Sequence, residues 1–212
     1  MRRFTQKQDL MEAFGTPEGT LVDADLSFIQ VEGLDLSGMN LSGANLSGGE
    51  WVDVNLDGCD LSNLHVVESR FTRVTFRRVQ LDHALLQRVE LAGCTLERAS
   101  AGEAAFFLSV MSDTDFRHAY LVKAQFLETN LDRSDFTGAD LSFAQLRESS
   151  LEQTRFISCD LRGVDFRKTN LHHAEYRHVC TENALYYGLP PWGGEAIPGR
   201  DWVRDLLVFD GE

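Results

Sequence analysis

The sequence predicts a solenoid, a chain wound into short stacked coils, and three observations predict it. From residue 24 to residue 178 a large apolar residue returns every five positions without a break, from Leu26, Val31, Leu36 and Leu41 through to Leu161, Phe166, Leu171 and Tyr176. Of these 31 centres, 17 are Leu and eight are Phe. Two residues before each centre lies a second restricted position, mostly Ala, Ser, Thr, Val, Cys or Gly, with only Ile29, Leu34, Met39 and Leu64 larger. Neither position ever carries a charge. At average charged content, chance would leave 62 positions charge-free well under about once in a million trials.

A period of five fits neither regular element. A helix advances about 100° per residue, so every fifth residue drifts around its axis. A strand alternates with period two, so every fifth residue would change faces. A chain that keeps one phase for 31 units must bend once per unit and always turn the same residue inward. That is a coil stacked on copies of itself.

The units Ala24-Asp25-Leu26-Ser27-Phe28, Ala44-Asn45-Leu46-Ser47-Gly48 and Ala139-Asp140-Leu141-Ser142-Phe143 resemble the pentapeptide-repeat family, whose consensus is A-(D/N)-L-x-x. The resemblance covers nearly three quarters of the chain. It implies an all-β fold, a right-handed quadrilateral β-helix of about eight coils with short terminal caps and one pentapeptide per side. Residues 20 apart then stack, and one column reads Phe76, Leu96, Phe116, Phe136, Phe156, Tyr176. At about 4.8 Å per coil the rod is roughly 38 Å long. A Leu or Phe buried at each centre contributes about 1.5–3 kcal/mol before ordering entropy, enough for a narrow core to carry the fold.

The 212 residues suit one domain, divided as residues 1–20, an N-terminal cap; 21–180, the β-helix; and 181–212, a capping and dimerisation tail. The net charge of −13 disfavours a protein that binds nucleic acid directly. Residues 1–60 alone hold 11 acids against three bases. Cys59, Cys94 and Cys159 occupy the small inward position and read as packing, with no CxxC pair and no disulfide framework. No apolar run follows the basic start, Met1-Arg2-Arg3-Phe4, and none is long enough to span a membrane, so a cytoplasmic location is expected.

Along the chain, Phe4, Leu10, Met11 and Phe14 suit one face of a short helix that covers the first coil. From 24 to 63, Asp or Asn precedes most centres, and Gly33, Gly38, Gly43, Gly48 and Gly58 follow two residues after, where a corner wants positive φ. Asp25, Asp35, Asp53, Asp57 and Asp60 make this stretch acidic. From 64 to 115 arginines appear at 70, 73, 77, 78, 88 and 98, and read as a solvated face balancing nearby acids. Ala101 and Met111 are the weakest centres and predict a dent in the coils. Stacking groups the outward apolar residues Val67, Leu85, Phe107, Leu108 and Leu127 into one patch, a candidate partner contact. After the turn-rich Leu189-Pro190-Pro191-Trp192-Gly193-Gly194, the residues Trp202, Val203, Leu206, Leu207 and Phe209 suit a short amphipathic helix that caps the last coil or pairs two subunits.

No catalytic constellation is present, and no metal or cofactor site. His118 and His178 stack three coils apart, roughly 14 Å, too far to share a metal. His172 and His173 are expected to point differently. Glycine-rich phosphate loops and nucleophile elbows are absent. A protein without enzymatic activity is expected. The resemblance implies a DNA-mimicking regulator of the Qnr, MfpA and albicidin-resistance kind. Such a protein binds DNA gyrase or topoisomerase IV, inhibits it or protects it from a poison, and dimerises through its C-terminal end. The acids at 25, 35, 53, 57 and 60 are then the mimic. The alternative is a rigid protein-interaction scaffold with no topoisomerase role.

Overall fold

The five-residue units wind into stacked coils in a computed structural model of the chain, which describes residues 21–193. Every strand pairs in parallel with the residue 20 further on. β1 (Gln30–Glu32), β2 (Glu50–Val52), β4 (Arg70–Thr72) and β6 (Glu90–Ala92) form one sheet. β3 (His65–Val67), β5 (Leu85–Gln87) and β7 (Ala105–Phe107) form a second, and β8 (Arg155–Ile157) with β9 (Glu175–Arg177) a third. Single bridges hold the same offset from Asp25↔Asn45 to Asp165↔Leu185. Twenty residues contain four units, so each coil has four sides, and the fold is a right-handed quadrilateral β-helix.

The faces are numbered in chain order by their centres. Face 1 carries Leu21, Leu41, Leu61 and so on to Leu161; face 2 Leu26 to Phe166 and Tyr186; face 3 Val31 to Leu171; face 4 Leu36 to Tyr176. Faces 1 and 3 lie opposite each other, as do faces 2 and 4. The phase continues past residue 180, since Ala184 and Tyr186 are buried and the N–H of Phe166 donates to the carbonyl of Leu185.

Three backbone bonds per unit tie the coils together. The centre donates forward (Leu26 N–H to the Asn45 carbonyl, 2.8 Å), the residue before it donates backward (Asn45 to Ala24, 2.9 Å), and the corner donates forward (Phe28 to Ser47, 2.8 Å). Within most units a turn closes as Ala24 does on Leu21, at 3.0 Å. The third residue of that turn has positive φ at every corner from Asp23 to Gly193. Ten of these corners are Gly and the other 25 are not. A left-handed residue other than Gly costs about 1–2 kcal/mol, so the ladder bonds and the buried centre must offset that strain once per unit. Side-chain packing adds a second reason for some glycines. A Cβ on Gly48 would lie 2.5 Å from the Phe28 ring, and one on Gly163 2.6 Å from the Phe143 ring, each one coil earlier. Around Gly58, below Gly38, the same Cβ would meet open space.

The inward positions explain the two restricted columns. Centres fill the axis, and their aromatic rings stack: Phe116 on Phe136 at 4.7 Å, Phe136 on Phe156 at 5.4 Å, Phe156 on Tyr176 at 5.2 Å. In the second column a small side chain reaches back to the centre carbonyl of the coil before. Ser134 Oγ donates to Met111 O at 3.0 Å, Thr154 Oγ1 to Leu131 O at 3.0 Å, and the Cys159 thiol to Phe136 O at 2.9 Å. Most inward Ser, Thr and Cys residues are tolerated in a dry core because they find this acceptor; the buried Thr114 hydroxyl makes no hydrogen bond among the described residues. The dent expected at Ala101 and Met111 does not exist. Both are fully buried, and both donate forward at 2.8 Å.

Candidate functional site

The five acids singled out in the sequence do not form one strip. Asp25 lies on face 2, Asp35 and Asp57 on face 4, Asp53 at the corner between faces 3 and 4, and Asp60 on face 1. Most are bound up in local structure. Asp25, Asp35 and Asp60 accept the N–H of Ser27, Ser37 and Ser62 at 3.0–3.1 Å, which fixes the bend after each centre. The hydrogen bonds of Ser37 hold the Asp35 carboxyl below its ordinary pKa. Asp53 takes two 2.7 Å bonds from Arg73, and Asp57 accepts the Arg77 N–H at 2.8 Å with its guanidinium 3.7 Å away.

That pairing follows a spacing not visible in a linear reading. Opposite charges sit 20 residues apart: Asp53 with Arg73, Glu68 with Arg88, Arg70 with Glu90, Glu103 with Lys123, Asp113 with Arg133, Glu148 with Lys168. Five of the six arginines between 70 and 98 meet an acid in this way or nearby, as expected of a balancing face. Arg78 makes no ion pair among the described residues. With Arg77, Arg98, Asp57, Gly58 and Glu97 it lines a groove of about 350 Å³ on face 4.

Sorted by face, the outward charge is strongly uneven over residues 21–193. Assigning each corner to the face it ends, face 1 has seven acids and two cations, and face 3 seven acids and three. Face 2 has five acids and four cations, and face 4 six of each. The two opposite faces 1 and 3 thus carry −9 between them and the other two only −1. Asp60, Asp82 and Asp140 on face 1, and Glu50 and Asp132 on face 3, make no ion pair among the described residues. Sequence reading missed this because the signal needs a period of 20, not five.

Val67, Leu85, Phe107, Leu108 and Leu127 do come together, all on face 2 over strands β3, β5 and β7 and the coil that follows. Leu108 at the corner is 39 % exposed and the others are half-buried. Arg147 and Arg167 continue the outward column of Phe107 and Leu127. Asp165, only 8 % exposed, takes a 2.7 Å bond from Arg167 and lies 3.9 Å from Arg147. Burial acts to raise the Asp165 carboxyl, but the Arg167 side-chain and backbone bonds prevail and hold it low.

At the C-terminal end Leu171, Ala174, Tyr176 and Val179 are half-buried, and Trp192 lies across the core against Phe166, Tyr176 and Tyr186 with ring centroids 5.0–6.4 Å apart. Trp202, Val203, Leu206, Leu207 and Phe209, and the N-terminal cap at residues 1–20, lie outside the described residues. Burial pushes the Cys59 thiol up to about 11 and those of Cys94 and Cys159 up to about 12, so these sulfurs stay protonated and unreactive. Cys180 is exposed. His172 and His173 do not point apart as expected: their ring centroids are 3.8 Å apart, because both lie at the bend that ends face 3. No group of His, Cys, Asp and Glu among the described residues has the geometry to hold a metal ion. No helix among them is long and apolar enough to cross a membrane.

The geometry defines a four-sided parallel β-solenoid whose working surface is its outer faces. Pentapeptide repeats, in eight copies, match residues 21–50, 52–88, 109–142 and 139–175, and the chain belongs to the pentapeptide-repeat family. No curated protein matches it in sequence. Among solved structures it is similar to full-length QnrB1, a plasmid-mediated fluoroquinolone resistance protein, at 20 % identity and a TM-score of 0.55 over 84 % of this chain and 97 % of that one. A trypsin-treated QnrB1 variant gives 18 % identity and 0.55 over 79 % and 83 %. HetL, involved in heterocyst differentiation regulation in the cyanobacterium Nostoc sp. strain PCC 7120, gives 18 % and 0.34 over 86 % and 95 %.

Proposed function

We propose that this rod binds a type II topoisomerase, DNA gyrase or topoisomerase IV, in the place of duplex DNA, and inhibits it or protects it from a topoisomerase poison. The observation that carries the reading is the placement of net acid on two opposite faces along the rod. A duplex likewise carries its two phosphate backbones on separate flanks. Nine net charges over roughly 38 Å give about one per 4 Å, sparser than the one per 1.7 Å of duplex DNA but of the same sign and layout. Complementarity to a basic DNA saddle supports association, and that association weakens with salt. The fold likeness to a fluoroquinolone resistance protein supports the same partner. In this reading the protein is non-enzymatic and acts in the cytoplasm. It pairs end to end as a two-fold homodimer through its C-terminal end, where Leu171, Tyr176 and Val179 are half-buried.

In this reading the acids that matter are Asp60, kept from the original five, with Asp82 and Asp140 on face 1 and Glu50 and Asp132 on face 3. The test adds purified protein to gyrase, with and without a poison, and follows supercoiling and cleaved DNA. An effect is expected, and neutralising those five acids together should remove most of it. Neutralising Asp53 and Asp57, already matched by arginines, should remove less. No effect up to about tens of micromolar, the range of weak contacts, favours the second reading, a protein-interaction scaffold. The apolar patch on face 2 is the observation behind that one.

A further inference from the structure

We propose that the edge where face 4 meets face 1 holds a binding site for a compact phosphate-bearing ligand, a phosphate monoester or a diphosphate, built from Arg77, Arg78 and Arg98. The inference does not depend on the topoisomerase reading.

It starts from a pattern that three edges of the rod keep and the fourth breaks. Corner residues 20 apart stand one coil spacing, about 4.8 Å, from each other. On three edges an acid at a corner is answered by a base one coil later: Asp53 by Arg73 and Asp113 by Arg133, Glu68 by Arg88 and Glu148 by Lys168, Glu103 by Lys123. The corners of the fourth edge read Gly38, Gly58, Arg78, Arg98, His118, Gly138, Ser158 and His178, with no acid among them. Arg78 follows Gly58, so the acid that the pattern sets before it is missing. Two arginines therefore stand on successive corners, and like charges placed opposite each other repel unless an anion lies between them.

The guanidinium donors at this edge are also open. Arg77 lies 3.7 Å from Asp57 and 3.8 Å from Glu97, and Arg98 lies 3.8 Å from Glu97. None of these contacts is short enough for a hydrogen bond. Arg73 and Arg133, by contrast, each hold their acid with two bonds of 2.6–2.8 Å. Three guanidiniums thus share two carboxylates loosely, and a positive charge is left over. A planar guanidinium fork matches the oxygens of a phosphate in pairs, and such bonds are stronger than neutral ones. The groove of about 350 Å³ lined by these residues has space for that group, and a Cβ on Gly58 would meet nothing within 4 Å.

The surroundings select a compact ligand. At the next corner the His118 imidazole lies over Gly138, away from Arg98. Arg117 is taken by two bonds to Asp115. Beside the site on face 1 the outward residues are the uncharged Gln80 and Ser100, but Asp60 and Asp140 follow in the same column on either side. Neither acid makes an ion pair among the described residues. A nucleic-acid strand running along the edge would pass one of them, and face 1 as a whole carries −5.

The experiment titrates pyrophosphate into the full-length protein by calorimetry, with ionic strength held constant by sodium chloride. The parent should bind with a Kd below about 1 mM. Gly58→Asp supplies the missing acid, at a corner with open space and the positive φ that Asp53 and Asp113 already adopt. It should weaken binding at least about tenfold with all three arginines in place, whereas Gly58→Asn, of the same shape without the charge, should stay within about twofold of the parent. Arg78→Gln with Arg98→Gln should weaken binding at least about tenfold as well. Arg73→Gln with Arg133→Gln, an equal loss of charge at paired corners, should leave it unchanged. Melting curves establish that each variant is folded. No binding by the parent up to about 10 mM would overturn the proposal. Equal weakening in the two double variants would show a response to net charge alone and overturn it also. So would a short DNA duplex that binds more tightly than pyrophosphate through Arg78 and Arg98, since the edge would then be a nucleic-acid contact. None of these outcomes decides the gyrase assay, so the two proposals fail separately.

Discussion

The inner wall and the outer surface of this rod are made by the same five-residue unit, yet they follow different rules. Inside, all four sides are alike: a large apolar centre on the axis and a small residue two before it, which when polar in most cases donates to the previous coil's carbonyl. Outside, the four sides differ in sign, polarity and pairing, and residues 20 apart answer one another. The contrast teaches that stability and recognition are written at different periods. The inner rule repeats every unit and fixes where the chain bends. Outer residues are constrained where a side chain ties down its own bend, as Asp60 does through Ser62, meets a charge one coil away, as Asp53 meets Arg73, or accepts from the next coil, as Asp82 does from Ser100 and Gly102. The rest of the surface is free to be shaped for a partner.

The contrast breaks most sharply when a charge is moved from one side of the wall to the other. Phe136 is fully buried, its ring stacked between those of Phe116 and Phe156. Phe136→Asp should cost several kcal/mol and lower the melting temperature by tens of degrees or abolish folding. Gln153→Asp, at an exposed outward corner between Arg133 and His173 in its column, should change stability by less than about 0.5 kcal/mol. Equal melting of the two variants would show the inward phase to be misassigned. A step smaller is the corner. Gly163→Ala pushes a Cβ against the Phe143 ring and should cost more than the about 1–2 kcal/mol of left-handed strain alone. Gly58→Ala, with the same φ sign and open space, should show the strain alone. Smaller again is the inner hydrogen bond. Thr154→Val keeps the shape and removes the donor to Leu131 O, and should cost about 1 kcal/mol in chemical denaturation.

These cases also mark how much was legible in the sequence. Phe136 and Thr154 were readable because both obey the five-residue rule, which a single chain displays 31 times. The aromatic ladder through Tyr176 followed once four sides were assumed, and the sides came from the family resemblance, not the period. The patch from Val67 to Leu127 was found by the same stacking. The corners were half legible: the glycines pointed to positive φ, but 25 other residues adopt it too, because the ladder enforces the bend regardless of side chain. The pairing of the outward acids was not legible. Run-length along the chain favoured Asp25 to Asp60, whereas pairing at an offset of 20 cancels Asp53 and leaves Asp82, Asp140 and Asp132 standing.

The smallest expected effect lies wholly on the outer side, in the pair Asp113 and Arg133. Arg133 gives Asp113 two bonds, at 2.8 and 2.6 Å, across one coil spacing. Those hydrogen bonds from Arg133, with its charge, hold the Asp113 carboxyl below its ordinary value of 3.8. A carboxyl whose folded pKa is depressed contributes stability that is fully present above the unfolded value. That stability is lost as pH falls below 3.8 and through the folded value. Both side chains are more than half exposed, so solvent and salt screen the pair heavily. Arg133→Gln should therefore lower the melting temperature only slightly at pH 7 and low salt. The difference from the parent should shrink with added salt and vanish once pH has fallen through the depressed folded value, where the carboxyl is protonated in both. A difference that persists unchanged into acid would mean that Arg133 acts through packing of its aliphatic stem along the corner column. The outer surface would then share in the work assigned here to the inner wall.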